Sequence, residues 1–172
     1  QPEAVSFDFG EGNLGTYIKK IAVGTDHVLA LASDGNVWVW GSNASGQLGL
    51  GSYGDSFNVP QQMPLTFLSD EAKVGAIYAL NNTSYIVTTN GTLYTVGNYT
   101  DEENPGYGTV PTALSLLNRT LEVTEGYALK ASGTIWDLPK TNLSPDIKKS
   151  DALIPKDQAE DLKDGMIPYI LT

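Results

Sequence analysis

His27 is the only histidine among 172 residues, and the chain has no cysteine. A Ser-His-Asp relay would have to run through this one imidazole, and no Gly-x-Ser-x-Gly turn accompanies it. One His, no Cys and no Asp-x-Asp-x-Asp-Gly loop leave neither a zinc nor a calcium ligand set. Asp101-Glu102-Glu103 is a carboxylate cluster, but beside Asn104-Pro105 it reads as a solvated loop. Paired carboxylates for glycoside hydrolysis depend on a separation in space, and nothing in the sequence favours them. The Gly-rich run from Gly46 to Gly54 (GQLGLGSYG) is followed by no Lys-Ser/Thr and is not a phosphate loop. The expectation is therefore no catalytic residue, no cofactor and no metal: the protein is not an enzyme.

The chemistry the sequence does advertise is modification. Seven of eleven Asn residues head an Asn-x-Ser/Thr triplet: Asn43, Asn81, Asn82, Asn90, Asn98, Asn118 and Asn142. With 28 Ser and Thr in the chain, chance placement gives roughly two. The excess predicts N-linked glycans on surface loops and a secreted, extracellular protein. Asn81 and Asn82 overlap, so one of the two carries a glycan; Asn142 lies in Asn-Leu-Ser-Pro, a weakened acceptor; Asn43 sits in a Gly-rich turn that has its own use for the side chain. The start at Gln1, with no basic and apolar leader, is what either a processed secreted product or an excised piece of a longer chain shows.

A formal charge of -10 and a pI near 4.3 repel phosphate backbones, which excludes nucleic acid as a partner. No run of eighteen apolar residues exists, so no membrane span is expected. An apolar fraction of 41%, with three Trp, nine Tyr and four Phe, supports a packed core.

The elements that must carry these residues repeat. Ile18 to Gly41 lies on Val74 to Gly97 without a gap, matching Ile21 to Ile77, Leu31 to Val87, Gly35 to Gly91 and Trp38 to Tyr94. A looser third copy, Val123 to Leu138, follows at a further offset of 42, with Gly133 on Gly91 and Trp136 on Tyr94. In each copy two apolar runs flank Asp34-Gly35, Asn90-Gly91 or Ser132-Gly133, which predicts a hairpin closed by a two-residue type I′ turn. Three hairpins spaced at about fifty residues imply blades of about four short strands. The aromatic positions Trp38, Trp40 and Tyr94 could form a carbohydrate platform, but repetition of Trp38 at Tyr94 favours packing between blades.

Ile21 to Gly51 resembles the repeat of the regulator of chromosome condensation family. Gly24, His27, Ala30, Leu31, Asp34, Gly35, Trp40, Gly41, Asn43, Gly46, Gln47, Leu48 and Gly49 fall in register with its pattern. The second copy departs from it, with Leu80 in place of Gly24 and Thr83 in place of His27, and Phe9 to Gly15 looks like a worn tail of a preceding blade. The resemblance implies a β-propeller blade, from a family that closes rings of about seven, and a structural role for His27 inside its blade. The family's nucleotide exchange on a small nuclear GTPase and its chromatin binding find no matching segment here, and no active residue is carried over.

The expected fold is all-β, a partial β-propeller of about three blades with a short C-terminal helix or tail. Residues 1–17 form an N-terminal strand segment or remnant blade tail and 18–138 the blades. Residues 139–172 form a tail with a helix at 156–164 and a terminal strand at 166–171. An arc of three blades leaves faces and edges to cover. The expected function is a non-enzymatic structural subunit of an extracellular assembly or filament, binding copies of itself or another protein through blade edges and terminal strands; the alternative is a secreted binding module or inhibitor of a partner protein.

Overall fold

The computed structural model describes residues 3–11, 14–69, 72–98, 108–124 and 126–138. All eleven strands found there are antiparallel to their neighbours and pair in chain order. Blade 1 is β1 (Ile18–Val23), β2 (His27–Ala32), β3 (Val37–Ser42) and β4 (Ser56–Gln62); blade 2 is β5 (Val74–Leu80), β6 (Thr83–Thr88), β7 (Leu93–Gly97) and β8 (Gly108–Ala113). A third sheet holds β9 (Thr120–Thr124), β10 (Tyr127–Lys130) and β11 (Ile135–Asp137), preceded by a 3-10 turn at Ser115–Leu117. The all-β partial propeller of three blades is thus the observed architecture. The expected C-terminal helix and strand, Asn142 and the Asp101-Glu102-Glu103 cluster lie outside the described residues.

Strand pairing puts equivalent residues of the three sheets into rows. Ile21, Ala30 and Trp38 face one another across blade 1; Ile77, Ile86 and Tyr94 across blade 2; Val123, Ala128 and Trp136 across blade 3. Call this the front of each blade. The rear rows are Leu31 and Val37, then Val87 and Leu93, then Leu129 and Ile135. The core is built where a rear meets the next front. Leu29, Leu31, Val37, Val39, Leu48 and Met63 of blade 1 pack on Val74, Ile77 and Ile86 of blade 2. Tyr85, Val87 and Leu93, with Leu114 and Leu117 of the connection, pack on Val123 and Ala128 of blade 3. Alternation along each strand supplies one apolar row to each side, which is why strands buried on both faces carry nearly continuous apolar runs.

Two expectations are corrected. No strand forms among the described residues of 3–17; instead Phe7 and Phe9 pack on the front of blade 1, edge-on to Trp38 at 6.0 and 5.8 Å between ring centres. These aromatic rings gain more by burial on an apolar front than an isolated strand would gain without a partner. The hairpin turns are also not type I′. Ala32 both donates to Asn36 O and accepts from Gly35 N, so the loop is Ser33-Asp34-Gly35, a type I turn closed by a glycine bulge. The same two bonds recur at Thr88 and Lys130. Only the glycines, Gly35, Gly91 and Gly133, take positive φ (94°, 84° and 76°), whereas type I′ would also require it of Asp34, Asn90 and Ser132.

Gly35 and Gly91 occupy equivalent turns in different surroundings. A Cβ on Gly35 would meet nothing within 4 Å, while on Gly91 it would lie 2.8 Å from Arg119 Cα. Gly35→Ala is expected to cost only the left-handed strain, about 1 kcal/mol. Gly91→Ala should cost at least about twice that, because backbone must shift between blades 2 and 3. Urea denaturation of the two variants checks this, and equal losses would contradict it.

Candidate functional site

The first candidate, His27, is buried (1% exposed) at the start of β2. Its Nε2 lies 2.9 Å from Ser84 Oγ on blade 2, and that hydroxyl donates its one proton to Gln47 O at 2.7 Å. Ser84 therefore accepts from His27, which places the imidazole proton on Nε2. The bond crosses between blades and does not lie inside one, as the family resemblance had implied. Nδ1 is left buried with no partner, its lone pair turned towards Gly24, where an added Cβ would lie 2.5 Å from Nδ1 and 2.6 Å from Asn81 O. Burial lowers the His27 pKa to about 4, with neighbouring Asp26 opposing the shift. Such an imidazole stays neutral at pH 7 and ties the two blades together through Ser84, whose own proton is engaged.

Gln47 belongs to a loop that enters blade 2. Asn43 organises it: Oδ1 accepts from Leu48 N at 3.0 Å and Nδ2 donates to Ser52 O at 2.9 Å. Leu48 is fully buried in the core between the blades, and Gly51 N bonds Thr109 O of β8. Asn43 is itself fully buried. A glycan needs Nδ2 free and open to solvent, so Asn43 is not an acceptor in the folded chain, a correction to the sequence expectation.

The remaining described sequons lie at the two ends of blade 2. Asn81 is exposed and Asn82 partly exposed in the β5–β6 turn, with Asn98 close by at the end of β7. Asn90, in the β6–β7 turn, and Asn118, before β9, are exposed at the opposite end. Asn90 turns Oδ1 back to Thr92 N at 3.2 Å, and Asn118 Oδ1 accepts from Lys130 Nζ at 3.3 Å. None stands on the front of blade 1.

That front is the feature sequence reasoning missed. Ile77 is fully buried and Val123 is 2% exposed, yet Ile21, in the same place on blade 1, is 62% exposed, and so is Val23. Phe7 and Phe9 cover only Ile18, Ala30, Ala32, Trp38 and Trp40. The alignment of Ile21 with Ile77 marks the position, but its exposure is set by what stands in front of the blade and not by the residue. Trp38 and Trp40 are occupied by these aromatic contacts, so they pack and do not form a sugar platform. No helix among the described residues is long and apolar enough to cross a membrane, and none of their His, Asp and Glu groups gathers three metal ligands.

Sign and size of the His27 effect follow from its depressed pKa. The neutral form is favoured by folding, so the contribution is complete above the unfolded value of 6.5 and is lost as pH falls through about 4. The loss approaches about 3 kcal/mol. Urea midpoints of the natural chain and of His27→Gln should therefore diverge from pH 7 to pH 4, with the natural chain losing more; parallel curves would remove His27 from the account. Gly24→Ala should destabilise at every pH, by about 2 kcal/mol or more, through collision with ring and backbone.

Residues 18–47 match the regulator of chromosome condensation (RCC1) repeat, with an overlapping match over 34–77. The ultraviolet-B receptor UVR8 of Arabidopsis thaliana is 42% identical over 80 residues, 46% of this chain and 17% of that protein. Ras guanine nucleotide exchange factor C of Dictyostelium discoideum is 46% identical over 48 residues, 28% of this chain and 3% of that protein. Among solved structures, human WBSCR16 superposes with a TM-score of 0.64 at 21% identity, covering 80% of this chain and 38% of that one. Prp20p from Saccharomyces cerevisiae, studied for its binding to Gsp1p and histones, gives 0.59 at 24% identity, covering 77% and 36%. The chain thus spans well under half the length of the proteins it resembles. The matched segments show that the chain carries RCC1-type repeats over residues 18–77, and its described residues fold as a partial β-propeller.

Proposed function

We propose that this chain is a non-enzymatic, secreted glycoprotein that acts as a structural subunit of an extracellular assembly, made by contact between propeller blades of separate copies. As a partial propeller of RCC1 type it is a protein-interaction module, and the uncovered front of blade 1 carries the finer reading. A position buried completely in blade 2 is 62% exposed in blade 1, and contiguous apolar surface of this kind marks a protein contact. The sequon pattern supports it further: the exposed acceptors cluster at the ends of blade 2 and spare the front of blade 1, where a glycan would block contact. The contact surface is a blade face. Terminal strands are not needed for it, and Phe7 and Phe9 are engaged with their own blade.

The second reading is a binding module for a different protein, with the same front as its surface. Sedimentation velocity of the natural glycoprotein separates the two. Self-assembly predicts a weight-average mass that rises with concentration, whereas a binding module stays monomeric throughout. Peptide mass spectrometry is expected to find glycans at Asn90 and Asn118 and at one of Asn81 and Asn82, with Asn43 unmodified. Unmodified Asn at all of the exposed sites would remove the extracellular assignment.

A further inference from the structure

A cavity of about 380 Å³ lies between blades 2 and 3, among the β6–β7 turn, the start of β9 and Ala131, and a sequon forms part of its wall. Its volume falls within the range of small-ligand sites. Asn90 stands in that wall, exposed. Thr92 N and Thr92 Oγ1 donate to Asn90 Oδ1 at 3.2 and 3.1 Å, so the amide is held by its oxygen, and none of its bonds uses Nδ2, the atom that carries a glycan. Of the three hairpin turns, this one alone is both a sequon and pressed on the next blade. A Cβ on Gly91 would lie 2.8 Å from Arg119 Cα, whereas Gly35 and Gly133 have nothing within 4 Å.

The lining has an apolar side and a donor. Val87 is buried at the floor, and Leu121 stands 59% exposed at the edge. Leu121 occupies the bulge of β9, where the corresponding bulges of blades 1 and 2 hold Lys19 and Gly75, so the exposed leucine is particular to this cavity. The backbone N–H groups of Gly91, Thr120 and Ala131 are taken by Thr88 O, Gly91 O and Arg119 O. The last two of these bonds also hold Arg119 at a left-handed φ of 58° beside the turn. Its guanidinium is in no ion pair among the described residues, and it supplies free donors to the cavity.

We infer that the first N-acetylglucosamine of a glycan on Asn90 seats in this cavity, its acetyl methyl and apolar ring face on Leu121 and its oxygens on Arg119. Seated there, the sugar splints the junction of blades 2 and 3, where no bond like that of His27 to Ser84 is made. The inference rests on the glycoprotein reading and names what one of the glycans touches. The occupant is tethered to the wall of the site it fills, so it pays little of the entropy of a free ligand.

Hydrogen exchange of the full natural glycoprotein, its glycans trimmed to the first sugar, tests this. Asn90→Asp removes the sugar and keeps the turn, since Asp34 holds the same turn of blade 1 through Asn36 N at 3.0 Å. The amides of β9 are expected to exchange at least about threefold faster in Asn90→Asp than in the glycoprotein. Leu121 is mostly exposed, so Leu121→Ser is tolerated, and in that background the sugar should make no difference. Peptide mass spectrometry first establishes that Asn90 carries the sugar. A glycan whose loss leaves β9 exchange unchanged, or whose effect persists in Leu121→Ser, overturns seating in the cavity and leaves glycosylation standing. An unmodified Asn90 removes the glycoprotein reading at this site and the inference with it.

Discussion

A single hydroxyl proton organises the join between the first two blades. Ser84 can give it only once, and Gln47 O takes it, so His27 must approach as the donor. Neutrality is compatible with the site because burial there penalises the charged ring more than Asp26 favours it. The relay fixes where the loop of Gln47 lies, and the loop places Leu48 in the core between blades. Asn43 holds the loop's own shape with both ends of its amide. Glycines then allow it to sit against blade 2: a Cβ on Gly46 would lie 2.6 Å from Gly108 O, and one on Gly97 2.9 Å from Gln47 Cβ. Packing, loop shape and backbone approach thus all refer to one buried polar chain.

The second junction lacks the histidine–serine clasp, and the sequence changes that remove it are coupled. Gly24 cannot bear a Cβ while the His27 ring fills the space beside it. In blade 2 the equivalents are Leu80 and Thr83: the ring is gone and a larger side chain stands in place of glycine. Leu80 packs on the apolar cluster between blades 2 and 3. Read as separate departures from a repeat pattern, the two substitutions look like decay. Seen against the contact distance, they are one exchange of a buried polar clasp for aliphatic volume, which adds to the burial between blades 2 and 3.

Much of this was legible before any coordinates. Periodicity and the gap-free match of Ile18–Gly41 on Val74–Gly97 located β1 to β3 and β5 to β7, because strands buried on both sides leave an unmistakable apolar run next to a glycine turn. The turn type was not legible, since a glycine with positive φ serves both a type I′ turn and a glycine bulge, and only the bonds of Ala32 decide. Phe7 and Phe9 read as part of a worn strand, since aromatic residues suit strands and caps equally. The third copy showed its hairpin, yet its inner strand is fixed by pairing: Val123 opposes Ala128 as Ile77 opposes Ile86, across a connection four residues shorter. Burial of Asn43 was foreshadowed by its Gly-rich turn. Exposure of Ile21 was beyond any local pattern, because it depends on what stands in front of the blade and not on the residue.

That dependence on neighbours has a consequence for how the arc holds itself together. In stacked repeats, stability is a sum of each unit and its interfaces, so units at the ends are less well supported than those between. Blade 1 is buttressed by the clasp on its rear and by Phe7 and Phe9 on its front. Among the described residues blade 3 has three strands and a partly exposed rear row, so its local opening should cost least. Anything that covers Leu129 and Ile135 can do so only while β9, β10 and β11 are paired, and would stabilise the least supported sheet by mass action. Covering that row and pairing the third sheet are then one equilibrium, so the sheet's stability is set by what lies against its rear as much as by its own three strands.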